Sequence, residues 1–265
     1  MSYKKIKDKI IGKLMEKGVL VASDSHMEWL LPWWWERYSC CNEFPVVFVD
    51  LGMTSEARLW CQERGEVLTV TEVFSSDTII KEWEEVYGSS YGQARKAWFK
   101  KPLACLLSPF EETIWMDLDC EVLSSIEPIF AYLEGKELAI ALDRVSAIPE
   151  GFSPEDSIES QLIFNGGVIA YRKGSYLIKE WARIALAESH LYWGDDYILS
   201  ALIHQGQEKI QILPPIYNWR LADGTPFYAK IIHWCGEWGK ACIAKQGGLK
   251  GLLEGLPELK KVFDV

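Results

Sequence analysis

The sequence predicts an α/β domain with a mainly parallel central sheet flanked by helices, and three observations carry that reading. Short apolar runs of strand length alternate with helical patterns between residues 18 and 122. The chain has 265 residues, 49% hydrophobic and 25% charged, which suits a folded domain with a substantial core. Repeats, low-complexity tracts and linker-like segments are missing, so a single domain is expected.

The elements follow in order. Tyr3 to Glu16 places Ile6, Ile10, Ile11, Leu14 and Met15 on one face of an amphipathic helix, read as packed on the domain. Gly18-Val-Leu-Val-Ala22 reads as a buried strand, and Ser23-Asp24-Ser25 as the N-cap of the helix that carries Trp33, Trp34 and Trp35. Consecutive helical residues point about 100° apart, so the three tryptophans do not form one sugar-stacking platform, and most of them read as core or interface residues. Pro45 to Asp50 is a second strand, Thr54 to Arg64 a helix and Glu66 to Val70 a third strand. Helices near 76–87 and 91–107 lead to a strand ending in Trp115-Met-Asp-Leu-Asp119. Beyond it come a helix near 125–134, a strand at 137–143 and a polar loop at 144–160. The strand Leu162 to Tyr171, helices at 175–189 and 195–204, short strands and a helical tail near 248–262 complete the chain.

Composition narrows the partners. A net charge of −10 without a long basic block argues against nucleic acid, while leaving room for a local basic pocket. Seven scattered cysteines without a CxxC read as reduced thiols, hence a cytoplasmic protein. Neither a secretory signal nor an apolar segment of about 20 residues is expected, so no membrane span is predicted. Oligomeric state stays open.

The chemistry centres on Asp117, Asp119 and Glu121. On an extended strand these carboxylates would share a face, where like charges need water or a cation between them. A carboxylate pair at the C-terminal edge of a buried strand suits a hard divalent cation bridging to phosphate. Glu121 is expected past the strand's end, pointing to solvent. His233, ending the apolar run Ile231-Ile-His233, would complete an O,O,N ligand set, and its imidazole favours Mn²⁺ over Mg²⁺. Adjacent Gly166 and Gly167 inside a strand read either as a bulge or as bare backbone approached by a ligand. Asp195 and Asp196 open a helix, where one aspartate is explained by capping and a second is a candidate for sugar contact or catalysis.

Taken in order, these pieces resemble the GT-A (Rossmann-like) glycosyltransferases, most closely the retaining enzymes of family 8. The residues concerned are Val21-Ala-Ser-Asp24, Trp115-Met-Asp-Leu-Asp119, Phe164-Asn-Gly-Gly-Val168, Asp195-Asp196, Leu213-Pro-Pro-Ile-Tyr-Asn-Trp219 and His233-Trp-Cys-Gly236, with a basic-residue helix from Lys101. The match spans roughly residues 18–240. The resemblance implies a nucleotide-binding half at 18–122, an acceptor and catalytic half at 123–240 and a helical tail at 241–265. It implies a nucleotide-sugar donor, a UDP-hexose, whose diphosphate is bridged by Mn²⁺ (or Mg²⁺) to Asp117, Asp119 and His233. Ser23 and Asp24 would lie at the nucleoside, Arg95 and Lys101 near phosphates or sugar, and Gly236 and Lys240 at the diphosphate. Asn165 and Asp195 would hold the sugars. The acceptor, whether carbohydrate, lipid or protein, is not specified.

Three departures from the family pattern matter; one, Gly166 in place of the family's Ser or Ala, is conservative for backbone approach, and the other two bear on mechanism. The family's Gln after the Asp is Asp196 here, a carboxylate able to act as nucleophile or to stabilise an oxocarbenium ion. The family's Lys falls one residue late, at Lys240. Two other readings compete: a catalytically silent nucleotide-sugar or carbohydrate-binding protein, and a DxD phosphatase of the haloacid-dehalogenase type.

Overall fold

The computed structural model describes residues 16–71, 89–143, 163–206, 209–220, 224, 228–249 and 251. The expected opening helix, the helix near 76–87, the polar loop at 144–160 and nearly all of the helical tail lie outside the described residues.

Continuous apolar runs become strands covered on both faces, β1 (Lys17–Ser23), β2 (Val46–Asp50) and β4 (Glu112–Met116), while β3 (Glu66–Thr69) is a partly exposed edge strand. With β6 (Leu138–Asp143), β7 (Ile163–Arg172) and β8 (Ile210–Ile212) they form a seven-stranded sheet in the order β3-β2-β1-β4-β7-β6-β8. Pairs β1–β2, β2–β3, β1–β4 and β6–β8 are parallel, and β7 runs antiparallel to both of its neighbours. The chain order reverses at β1 and β4, so the crevice beyond their carboxyl ends is where an open α/β sheet receives a ligand.

Alternate residues of the strands feed separate cores. Val19, Val21, Phe48, Ile114 and Met116 pack with helix α1 (Leu30–Ser39) on one face. Leu20, Val47, Val49, Trp115 and Ile169 pack on the other. That second face is covered by α3 (Ser89–Leu106), α4 (Tyr176–Glu188) and α5 (Asp195–Gln205). A short helix, α2 (Ser55–Gln62), is capped by Thr54, whose side chain accepts from the Ala57 N–H. The segment expected as a helix near 125–134 is 3₁₀, Glu127–Leu133. No helix among the described residues is long and apolar enough to cross a membrane.

The three tryptophans diverge as expected. Trp34 is fully buried and stacks on Tyr38 at 4.8 Å, Trp35 meets Phe48 and Trp60, and the Trp33 indole donates to the Gly247 carbonyl at 3.0 Å.

A small second sheet decides the site. In it β10 (Ile231–His233) lies between β5 (Cys120–Val122) and β9 (Trp219–Arg220), with His233 paired to Cys120 on one side and Arg220 on the other. The Trp234 N–H then donates to the Asp119 carbonyl at 2.9 Å. Helix α6 (Gly236–Gln246) follows directly.

Candidate active site

The carboxylates at 117 and 119 are not strand residues. β4 ends at Met116, and the Cys120 N–H closes a tight turn on the Asp117 carbonyl at 3.0 Å. This corrects the strand picture: a turn, not strand alternation, aims Asp117 and Asp119 at the same point. Asp117 Oδ1 accepts from the Trp115 indole at 2.8 Å, and its Oδ2 lies 3.0 Å from Lys101 Nζ. Asp119 Oδ1 lies 3.3 Å from His233 Nε2, and its Oδ2 3.3 Å from Lys240 Nζ. Burial alone would raise the Asp119 carboxyl; the His233 ring and Lys240 outweigh that and hold it below the usual carboxylate range.

Glu121 is a second correction. It does not point to solvent but lies in β5, 3% exposed, accepting from the Trp234 indole and the Leu249 N–H, each at 2.9 Å.

His233 is oriented from behind. Its Nδ1 lies 3.1 Å from Asn165 Oδ1 and 3.0 Å from Asn218 Oδ1. The Asn218 amide NH₂ donates to Asn165 Oδ1 at 2.8 Å, so both atoms facing Nδ1 are assigned as acceptors. Nδ1 therefore carries a proton, and Nε2 is the ring nitrogen facing Asp119 and, at 3.9 Å, Asp117 Oδ2. Nε2 set among carboxylate oxygens needs a proton or a cation between them. Two carboxylates and an imidazole with its outer nitrogen fixed by amide oxygens form a donor set that fits Mn²⁺. The Cys120 thiol, within 4.8 Å of Asp119 and His233 ligand atoms, is buried and bonds the Gly167 carbonyl at 3.5 Å; burial pushes it up, away from the thiolate a metal requires.

The Gly-Gly pair is a bulge. Pairing jumps from Ile140 with Ile169 to Ala141 with Asn165, displacing residues 166–168 from β6. A side chain at 167 would place its Cβ 2.3 Å from the His233 ring, and one at 166 would lie 2.5 Å from Asp196 Oδ1. The bare backbone expected to admit a ligand admits an imidazole and a carboxylate of the chain itself.

The second half of the site is built on α3 and the start of α5. Lys101 Nζ reaches the Gly166 carbonyl at 3.3 Å and Asp195 Oδ2 at 3.7 Å, besides Asp117. Burial would lower Lys101, but Asp117, Asp195 and Asp196 together hold it well above the usual value. Asp196 Oδ1 accepts from the Gly166 N–H at 2.9 Å. Burial raises the carboxyls of Asp195 and Asp196, and their closeness to Asp117 and, for Asp196, to Asp195 adds to it. Asp195 Oδ2 is buried with no hydrogen-bond partner among the described residues.

Other expected residues divide between edge and support. Ser23 is buried at the end of β1 and donates to the Asp24 carbonyl. Asp24 Oδ1 caps the following turn, accepting from the N–H groups of His26 and Met27. Gly236 opens α6 with φ of +79°, a conformation that favours glycine. The Arg95 guanidinium donates to the carbonyls of Ser189 and Tyr192 and lies over Phe99, supporting the connection that leads to Asp195. The structure adds residues not singled out from sequence: Asn218 behind His233, and Asp143, which pairs with Arg220 and accepts from the Asn165 amide at 3.4 Å. Asn218 sits in the Leu-Pro segment, whose only signal was the family resemblance.

No protein-family model matches this chain, and no curated protein matches it. Among solved structures, the galactosyltransferase LgtC in complex with donor and acceptor sugar analogues aligns with a TM-score of 0.54, over 83% of this chain and 87% of LgtC, at 14% identity. An active-site Gln-to-Glu mutant of LgtC gives the same values. The bifunctional glycosyltransferase WbbM, without ligand, aligns with a TM-score of 0.53 over 84% of this chain and 46% of its own, at 12% identity. At these identities the likeness is one of fold. The chain has the GT-A glycosyltransferase fold, as the resemblance to family 8 implied.

Proposed function

We propose that this protein is a metal-dependent glycosyltransferase, moving a sugar from a nucleotide-sugar donor, a UDP-hexose, to an acceptor with retention of configuration. One observation carries the reading: Asp117, Asp119 and Nε2 of His233 converge beyond the carboxyl end of β4, with the imidazole fixed from behind by two asparagines. Charge supports it, since among the described residues Lys101 and Lys240 are the cationic side chains set against Asp117, Asp119, Asp195 and Asp196, besides His233. A divalent cation held by Asp117, Asp119 and His233 would neutralise charge developing on the departing diphosphate.

The chain's own residues then take distinct roles. Residues 18–122 would bind the nucleotide along the edge formed by Ser23 and Asp24, and 123–240 the acceptor. Lys240 and Lys101, now paired with carboxylates, would turn to phosphate oxygens, with Gly236 giving the backbone close approach. Asn165 and Asp195 would hold sugar hydroxyls. Asp196, fixed by the Gly166 N–H, would face the anomeric carbon as nucleophile or as stabiliser of the oxocarbenium ion.

The test is a thermal-shift panel of nucleotide sugars with and without Mn²⁺, followed by a donor-hydrolysis assay. A donor at 100 times its Kd stabilises by about 2.7 kcal/mol. Stabilisation that needs both donor and Mn²⁺, with turnover, is the expected result. Binding without hydrolysis or transfer would make the protein a nucleotide-sugar binder, and no Mn²⁺-dependent shift with any donor would sink the reading.

A further inference from the structure

Glu121 lies two residues beyond Asp119, yet it takes no part in the ligand set. Its carboxylate is almost wholly buried, and one oxygen, Oε2, accepts from both the Trp234 indole and the Leu249 N–H. The chain is shaped around it: Gly247 and Gly248 have φ of +72° and +96°, and a Cβ at 248 would lie 2.7 Å from both carboxylate oxygens. Arg37 of α1 approaches from the other side. Its Nε is 3.6 Å from Glu121 Oε1, and its Nη2 donates to the Gly247 carbonyl at 2.7 Å, an acceptor shared with the Trp33 indole.

These contacts tie down both ends of α6. Trp234 adjoins His233 at the end of β10, and Leu249 follows the helix that brings Lys240 to Asp119. Burying a carboxylate is costly unless geometry repays it, and apolar packing would join the same segments at less cost. What a carboxylate adds is direction: two N–H groups from separate segments are fixed on one oxygen.

We propose that Glu121 is a positioning residue of the candidate metal centre, setting His233 and Lys240 in register with Asp119 through Trp234 and the turn after α6; this rests on the metal-centre reading above. Residues that orient metal ligands through a hydrogen bond commonly change metal affinity by about 10–100-fold when removed.

The experiment measures the Mn²⁺ Kd calorimetrically for the wild type, Glu121→Gln and Glu121→Ala, with circular dichroism checking the fold. A glutamine carbonyl can accept both N–H groups, so Glu121→Gln should bind within about three-fold of wild type, whereas Glu121→Ala should weaken binding about ten-fold or more. A folded Glu121→Ala protein with wild-type Mn²⁺ affinity, whatever its melting temperature, overturns the proposal. Should Glu121→Ala fail to fold, Trp234→Phe removes one N–H and keeps a smaller aromatic ring in its place. Several-fold weaker Mn²⁺ binding in that variant supports the role, and an unchanged Kd overturns it. A wild type that binds no Mn²⁺ fails the metal reading itself, and the role of Glu121 falls with it.

Discussion

The turn after β4 and the first turn of α5 each bring two aspartates to the same crevice, and the chain treats the two pairs in opposite ways. Asp119 has His233 on one oxygen and Lys240 on the other, so its charge is settled and its carboxyl held low. Among the described residues Asp195 and Asp196 share little besides Lys101 and one backbone N–H, and their carboxyls are raised by burial and by neighbouring carboxylates, Asp117 for both and Asp195 for Asp196. The first pair is organised for a fixed cation. In the second, burial and neighbouring carboxylates disfavour ionisation, which suits groups whose charge is balanced only when the substrate arrives.

The sharpest way to break this contrast is Asp119→Ala. Loss of the metal's contribution, several kcal/mol, should lower Mn²⁺-dependent transfer about 1000-fold and abolish Mn²⁺-dependent donor binding. Unchanged transfer would remove the metal half from the mechanism. Asp196→Asn should instead leave Mn²⁺ affinity alone and lower kcat by about 100-fold, of the order seen when a positioned proton-transfer or nucleophilic group is lost. Near-normal turnover in Asp196→Asn would end the nucleophile role.

Gly167→Ala tests the bulge that seats the imidazole. Its methyl would collide with the His233 ring at 2.3 Å, so a loss of about 1–3 kcal/mol in stability is expected, together with weaker Mn²⁺ binding. Chemical denaturation with and without Mn²⁺ separates the two effects.

The smallest effect concerns pH in the metal-free protein, where the pairs should respond with opposite signs. Asp119 is held below its ordinary 3.8, so its contribution to stability is present above that pH and is lost as pH falls through the folded value. Asp195 and Asp196 are raised above 3.8, so the folded state binds more protons than the unfolded. Their contribution is present below that value and is lost as pH rises toward neutral and beyond. Asp196→Asn should therefore raise the melting temperature more at pH 8 than at pH 5. Asp196 is half-buried, and solvent screening limits the gain to about 1 kcal/mol, or about 2–4 °C. An equal shift at both pH values would mean that the carboxyl is not raised.

Much of this architecture was legible because local patterns agree with the fold. The runs at β1, β2 and β4 are apolar enough to be covered on both faces, and they are. The cap expected of Ser23-Asp24-Ser25 is displaced: Asp24 caps a turn at His26 and Met27, and α1 begins only at Leu30 after Trp29, without a side-chain cap. The candidate ligands were named from residue type and from the family resemblance. What misled was treating residues 117–121 as one strand. The turn at Asp117 breaks the alternation, and the small sheet draws Glu121 into the interior on the far side. Asn218 gave no local signal, since an asparagine after a 3₁₀ turn reads as turn chemistry until the imidazole is seen against it.

By itself the sequence determined the α/β class, the order of most strands and helices, and the set of chemically able side chains, because burial pattern and capping act over a few residues. Tertiary structure decided which of those side chains meet. His233 lies more than a hundred residues beyond Asp119, and only the pairing of β10 with β5 places its ring against that carboxylate. The same pairing separates Glu121 from Asp119, and the bulge at Gly166 and Gly167 leaves room for the ring. These are long-range steric and hydrogen-bonding matches, which no local pattern in the chain encodes.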